Sequence, residues 1–401
     1  MLRPALPFRH AFHRCLANNN TPISSKSIVR TFAGKPPQSD IQQVFSEPLK
    51  LLQRKNALRV LKHKASATSS LGVGQDEIAP TIDYNYFRRE IANRMVDRLE
   101  DIKDRDFELA LEIGTGMDNE VYKSIIREES LSGNGGGIGG IKKLVRLVNI
   151  EAEDDYEVEV VSTDTDKESN SELCDTFTMH HPLPSTLPYP FPSNSFSLII
   201  SNLSLHQANN LPGILSECHR LLKPDGCILL SFPGGDTLPE LRASLLQAEQ
   251  ERTGGVSIHT GPFVELSSVG SLMNSAKFKL STIDIDSINI GYSNMFLLLE
   301  HLQLMGEGNA ALRRKQPAGI GLDTFLAAAA IYQEEYKEED GGGGEGVVAS
   351  TQVIYAIGWK EHESQQKADA RGSAGAKIGE IKVVQSSAKE GVGSDNDGHL
   401  N

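Results

Sequence analysis

Apolar residues along the chain fall into short runs separated by polar stretches, and the sharpest run is Phe107–Met117 (FELALEIGTGM). Leu109, Ala110, Leu111 and Ile113 predict a buried parallel strand, which Gly114-Thr115-Gly116 ends. Val121, Ile125 and Ile126 then suit a helix with Asn119 near its N-terminus. Upstream, Phe87, Ile91, Met95, Val96 and Leu99 recur at helical spacing within Tyr84–Ile102 and predict a helix packed on the sheet. Downstream, Tyr156–Asp164 (YEVEVVSTD) alternates and reads as the second strand, with Asp164 at its C-terminal end. Ile141–Ile150, followed by Glu151, competes for that place. Phe196–Leu203 reads as the fourth strand, Leu211–Leu222 as a helix, Lys223–Gly226 as a turn and Cys227–Phe232 as the fifth strand. Asp236 or Thr237 suits the cap of the next helix. Leu280–Ile290 is a sixth strand, Ser293–Gly306 and Asp323–Lys337 are helices, and Val353–Trp359 is a last strand.

Composition adds an address. The first 39 residues hold Arg3, Arg9, Arg14, Lys26 and Arg30 but no acid, with Leu2, Leu6, Phe8, Phe12 and Leu16 available for one helix face. That is the make-up of a mitochondrial transit peptide over residues 1–38, with cleavage expected near Phe32. Residues 39–83 read as a helical arm and linker, with Ser66–Ala79 the linker. Leu51, Leu52, Leu58 and Leu61 would dock the arm, leaving the cations of Lys50–Lys64 for an anionic surface. The domain spans 84–363, with a flexible glycine-rich insert at about 130–155 and a helical insert at 293–340. Residues 364–401 lack periodicity and read as a disordered tail. No apolar run reaches the roughly 18–20 residues of a membrane span. A net charge of −13 disfavours nucleic acid as a partner. Of the four cysteines none forms a C-x-x-C pair, which excludes a disulfide framework or zinc site of that kind.

Strand, glycine turn and helix begin a doubly wound α/β domain. A dinucleotide fold wants a third glycine near Asn119, where Asp118 and Glu120 stand instead. The shorter form Glu112-Ile113-Gly114-Thr115-Gly116 resembles the first motif of class I methyltransferase folds. Their ligand, S-adenosylmethionine, carries an ammonium and a sulfonium, and acid at Glu112 suits a cation. Helix, Leu222–Gly226 (LKPDG) turn and strand recur at this point in the same folds. The expected architecture is therefore a class I methyltransferase-like Rossmann fold: a mostly parallel seven-stranded sheet with an N-terminal arm and inserted C-terminal helices. Candidate cofactor residues are Glu112, Gly114, Thr115, Gly116 and Asp164, with Glu151 the competitor for the ribose, and Ser201, Asn202 and Leu203 at the strand edge where open sheets hold ligands.

Several further segments resemble one family. They include Ser201–His206 (SNLSLH), Gly234–Arg242 (GGDTLPELR), Ala248–Gly255, Met305-Gly306-Glu307, Asp323–Tyr332 and Ile354–His362 (IYAIGWKEH). Together they are similar to the mitochondrial complex I assembly factor 5 type, protein-arginine hydroxylases on a methyltransferase fold. The resemblance covers roughly residues 40–372. It implies action in the mitochondrial matrix, peripheral to the inner membrane, on an arginine of a complex I subunit. The chain departs from that family's pattern at Gln207 (usually Trp), Asn210 (usually Asp) and Asp118 (usually Gly), and lacks an acidic pair before Pro190-Phe191.

His206 is the best-placed base, or else a structural hydrogen bonder. Asp236 and Glu240 could receive an arginine by bidentate pairing, or serve as cap and surface charge. No two-histidine, one-carboxylate set shows metal-ligand spacing, so the group that would activate oxygen is not identified. Three functions stay open: arginine hydroxylase, methyltransferase for a protein or small acid, and non-catalytic assembly chaperone.

Overall fold

One sheet carries eight strands in the order β3-β4-β2-β1-β5-β6-β8-β7. They are β1 (Ala110–Gly114), β2 (Lys143–Val148), β3 (Val160–Val161), β4 (Asp175–His180), β5 (Phe196–Ser201), β6 (Leu222–Pro233), β7 (Lys279–Tyr292) and β8 (Val347–Trp359). The helices are α1 (Glu47–Ser70), α2 (Tyr86–Glu100), α3 (Leu211–Leu221), α4 (Pro239–Thr253), α5 (Leu266–Ser275), α6 (Met295–Leu304) and α7 (Leu322–Glu335). The computed structural model describes residues 43–70, 84–102, 107–114, 120–121, 141–148, 160–161, 175–180, 185, 187–312, 320–337 and 346–367. Residues 1–362 form one unit and 363–401 another.

β1, β2, β4, β5 and β6 run parallel. β8 lies antiparallel between β6 and β7. Without β3 this is the seven-strand doubly wound arrangement that the sequence predicts, and β3 adds a short antiparallel edge to β4. The chain order reverses at β1, which pairs with β2 on one side and β5 on the other. Ligands of open α/β sheets lie at that switch point, beyond the C-terminal ends of the strands.

The strands form where apolar residues run unbroken, because helices cover both faces of the sheet. Phe196, Leu198, Ile199 and Ile200 of β5 and Ile228, Leu229 and Leu230 of β6 are fully buried. On one face α2 inserts Ile91, Met95, Val96 and Leu99 as its spacing predicts. Burying four such side chains stabilises the domain by on the order of 6–12 kcal/mol relative to leaving them in water. On the other face α3 packs Leu215, Cys218 and Leu221 beside Met273 of α5. Asn210 caps α3 by accepting a hydrogen bond from the Gly213 N–H at 3.0 Å. A third cluster joins α4, α6 and α7 over β7 and β8. In the LKPDG turn Asp225 takes φ 65°, and a Cβ on Gly226 would sit 2.9 Å from the Lys223 carbonyl oxygen. Hence that turn ends in glycine.

Three expectations change. The second strand is Lys143–Val148, because Leu144 and Leu147 pair with β1 in a buried parallel ladder. Within Tyr156–Asp164 the described residues Val160–Val161 form a strand, antiparallel at the sheet edge, and the rest, Asp164 included, lies outside the described residues. The arm departs in part: Leu51, Leu58 and Leu61 are half-buried and Arg59, Lys62 and Lys64 exposed as expected, but two cations turn inward and Leu52 outward. Lys50, Arg54 and Ala57 face the protein at 3%, 4% and 3% exposure, while Leu52 and Val60 face solvent at 53% and 41%. The reason is a carboxylate beneath the arm, described below. Finally, α1 continues through Ser66–Ser70, where the sequence suggests linker. The transit-peptide segment, the glycine-rich stretch 131–140 and the tail beyond 367 lie outside the described residues.

Candidate functional site

Three strand ends define the edge: Gly114 of β1, Val148 of β2 and Ser201 of β5. The Ser201-Asn202-Leu203 turn there is fixed by its own polar groups. Ser201 Oγ donates to the Ile113 carbonyl at 2.9 Å, and Asn202 Nδ2 donates to the Arg88 carbonyl at 3.0 Å. Ser231 Oγ donates to Asn202 Oδ1 at 3.1 Å and accepts the Leu203 N–H at 3.0 Å. Leu203 takes φ 45°, a conformation that costs a non-glycine residue about 1–2 kcal/mol.

On the β1–β2 side, buried Glu112 accepts a hydrogen bond from Arg146 Nε at 2.7 Å, its register partner across the ladder. Its charge is thereby answered within the sheet, which removes the reason for assigning it to the cofactor's cation. Gly114 closes β1, and Thr115 and Gly116 lie outside the described residues. Glu151 follows β2 by three residues and also lies outside them.

On the β5–β6 side lies a cavity of about 90 Å³, lined by Phe45 just before α1 and by Leu203, His206 and Glu307. Phe45, Tyr86, Phe87 and Tyr292 form much of its wall, with Arg88, His206 and Glu307 as its charged or titratable members. Chain direction puts Glu307 there. α6 ends with Gly306 at φ 73°, the Gly306 N–H reaching the Gln303 carbonyl at 3.0 Å and the Glu307 N–H reaching Leu302 at 2.8 Å. This Schellman turn aims the Glu307 side chain back over the sheet edge. Its Oε1 accepts from Arg88. Its Oε2 accepts from Lys50 Nζ at 3.2 Å, from His206 Nε2 at 3.1 Å and from Gln207 Nε2 at 3.1 Å.

The electrostatics follow from that crowding. Burial alone would raise the Glu307 carboxyl, but Lys50, His206 and Arg88 overrule it and hold it well below the ordinary range. Burial lowers Lys50 to about 8, against the pull of Glu307. Arg54, also desolvated and repelled by Arg88, falls to about 10. Its Nε has no hydrogen-bond partner. His206 is lowered by burial, with Glu307 opposing. A carboxylate only accepts, so His206 carries its proton on Nε2, and its enclosed Nδ1 keeps an unused lone pair. Tyr86 and Tyr292 are hydrogen-bonded through their hydroxyls, and burial raises both phenols.

The structure thus joins His206 to Glu307 and brings Ser201, Asn202 and Leu203 to the same edge. Asp236 is not part of the cavity wall: it is exposed and accepts from Gln352 Nε2 at 3.2 Å. Neither Asp236 nor Thr237 caps α4, whose N-cap is Leu238 at φ 51°. Thr237 Oγ1 instead donates to the Gln352 carbonyl at 3.0 Å. Glu240 is buried and accepts the Ser350 N–H at 3.2 Å, so it ties α4 to β8. Sequence reasoning passed over Glu307, Lys50 and Arg88 as site residues; the signals for Glu307 were its place in the family-like segment Met305-Gly306-Glu307 and Gly306 just after an apolar helix, a C-terminal stop. Among the described residues no three His, Cys, Asp or Glu side chains could hold a metal ion, and no helix is long and apolar enough to cross a membrane.

Comparison with known proteins bears on this arrangement. Residues 142–230 match a family described as a methyltransferase domain. The protein named arginine-hydroxylase NDUFAF5, mitochondrial, from Rattus norvegicus is 36% identical over 319 residues, spanning 77% of this chain and 80% of that protein. Its namesake from Homo sapiens is 38% identical over 302 residues, 75% and 77% of the two chains. Among solved structures, the YcgJ protein of Bacillus aligns with TM-score 0.39 and 14% identity over 67% of this chain and 99% of its own. On the extent and level of identity with its relatives, this chain belongs to the mitochondrial arginine-hydroxylase NDUFAF5 family.

Proposed function

We propose that this chain hydroxylates an arginine of a complex I subunit during assembly in the mitochondrial matrix, and binds S-adenosylmethionine beside the reacting site. The observation that carries the reading is a cavity at the strand edge whose wall, among the described residues, holds a single carboxylate, Glu307, in a chain related to named arginine hydroxylases. An arginine side chain is a cation that never loses its charge in water, and it needs such a counter-charge when desolvated.

The cofactor's place is supported by the switch point at β1 and by Gly114, which ends that strand without a side chain. Gly114, Thr115 and Gly116 would lie along its methionine part, Ser201, Asn202 and Leu203 along its far side, and Glu151 would accept the ribose hydroxyls. Glu151 is preferred to Asp164 because the strand beside β1 is the one that leads to it. When bound, S-adenosylmethionine supplies an electrophilic methyl on a sulfonium. The chain supplies the rest: an aromatic wall that excludes water, a carboxylate for a cation, and at His206 a neutral imidazole whose Nδ1 can take a proton.

The methyltransferase-domain match keeps methyl transfer as a second reading. Mass spectrometry of complex I subunits from mitochondria with and without this protein separates the two. One oxygen lost from an arginine in its absence supports hydroxylation, one methylene lost from any residue supports methyl transfer, and identical spectra overturn both.

A further inference from the structure

We infer that Glu307 is the group that receives the substrate's guanidinium, and that Lys50 of α1 occupies it in the resting protein as an internal stand-in for that cation, with the charge of Arg54 added from nearby. This rests on the arginine-modifying reading above. Two observations carry it: Glu307 is the single carboxylate among the described residues lining the cavity, and it is oversupplied with cations.

Arg88, from the core helix α2, already satisfies Glu307 Oε1. Lys50 reaches Oε2, where His206 and Gln207 also donate. Arg54 adds a third buried positive charge and donates no hydrogen bond to any described residue. A buried ion pair repays its desolvation when its geometry is good and further hydrogen bonds satisfy its remaining protons, and a guanidinium buried without partners is costly. One carboxylate facing three buried cations is instead the pattern of a site built for a visiting cation and filled by local ones.

The arm is also attached in a way that lets it leave. Among its described side chains none belongs to the three hydrophobic clusters, and Ala57 is the one apolar residue fully buried, with Leu51, Leu58 and Leu61 half-buried. It is held by polar contacts: Glu47 with Ser185 and Asn209, Gln53 Nε2 with the Asn309 carbonyl at 3.3 Å, and Lys64 with Glu300 at 2.8 Å. Segments with few buried apolar contacts open at low free-energy cost. Once α1 swings away, Oε2 is free on one side, and the rings of Tyr86, Phe87 and Tyr292 provide flat faces for a guanidinium, which stacks on aromatics. The competition has a quantitative form. Affinity for substrate is multiplied by the fraction of molecules with the arm released, so removing the arm's cations raises that fraction and tightens binding.

The test measures equilibrium binding to the full chain of a glycine–serine peptide with one central arginine, beside the same peptide with citrulline, its neutral isostere. The wild type is expected to prefer arginine. Lys50→Met with Arg54→Met should bind the arginine peptide about tenfold more tightly or better and leave the citrulline peptide unchanged. Glu307→Gln should lose the preference. Because that variant strands buried cations and can fail to fold, hydrogen exchange on the wild type supplies an independent measure. Saturating arginine peptide should deprotect the α1 amides, and the citrulline peptide should not. Equal binding of the two peptides by wild type and double variant, or α1 protection unmoved by the arginine peptide, overturns the inference. Arginine preference through Glu307 with no oxygen found on any complex I arginine would sink the hydroxylase reading alone. Undiminished oxygen transfer by a folded Glu307→Gln protein would sink this inference and leave that reading standing.

Discussion

Lys50 should make this protein more stable as the solution turns alkaline. Its ammonium is buried, which lowers its pKa to about 8; Glu307 opposes the shift, and Arg54 and Arg88 add to it. In the unfolded chain a lysine titrates near 10.4. Between those values the unfolded chain keeps a proton that the folded protein has released, so the free energy of unfolding rises with pH. The sign follows from a depressed folded-state pKa on a base: the penalty for the charge is full below about 8 and is relieved as pH climbs through that value. Integrating the linkage from pH 8 to about 9.5 gives a gain of about 1.5 kcal/mol. Tyr86, Tyr292, Tyr332 and Tyr355, all with phenols raised by burial, work the other way, but only as free tyrosine begins to ionise near pH 10. Urea unfolding followed by Trp359 fluorescence and far-ultraviolet circular dichroism, at pH 8, 9 and about 9.5, gives the profile. Lys50→Met removes the titrating group, so its profile should be flatter by that amount. Parallel profiles for the two proteins would refute the assignment of a buried, ion-paired lysine at this place.

Two further outcomes are expected. Glu151→Ala should weaken S-adenosylmethionine binding by calorimetry while Asp164→Ala leaves it unchanged, and the reverse result would return the ribose to Asp164. Gly226→Ala should destabilise the protein by about 1–3 kcal/mol in urea, since its Cβ would meet two backbone oxygens, of Lys223 and Ser197, at 2.9 and 3.0 Å; an unchanged midpoint would mean that the turn yields.

What the sequence disclosed of the fold follows from which forces bury its elements. β1, β5 and β6 are buried by apolar side chains and show as apolar runs, and α2 carries its buried face at helical spacing. β2 was harder. Lys143 and Arg146 interrupt KLVRLV, and what lets Arg146 lie in the sheet is Glu112, 34 positions earlier. Periodicity is blind to a pair at that separation. β4 reads Asp-Thr-Phe-Thr-Met-His, too polar to announce itself, and α5 buries just Val269 and Met273. Each went unseen because its place depends on neighbours rather than on its own pattern.

The site was less legible for the same reason, taken further. His206 could be found because it follows an apolar strand into the edge where α/β sheets hold ligands. Glu307 was visible only as part of the family-like segment Met305-Gly306-Glu307, and its role was not, since that depends on Lys50, Arg88 and His206 arriving from 257, 219 and 101 positions away. The arm shows the converse error. Lys50, Arg54 and Ala57 share a face by helical spacing, and the ordinary rule sends charges outward and leucines inward. That rule assumes that burial is hydrophobic. Here a carboxylate fixed by the core draws Lys50 and Arg54 down, while Arg59, Lys62 and Lys64 stay outward and Leu52 and Val60 lie in water. A helix that buries two cations beside half-buried leucines gives up apolar burial to answer one charge, which is intelligible if the arm's position must depend on whether that charge is already answered by something else.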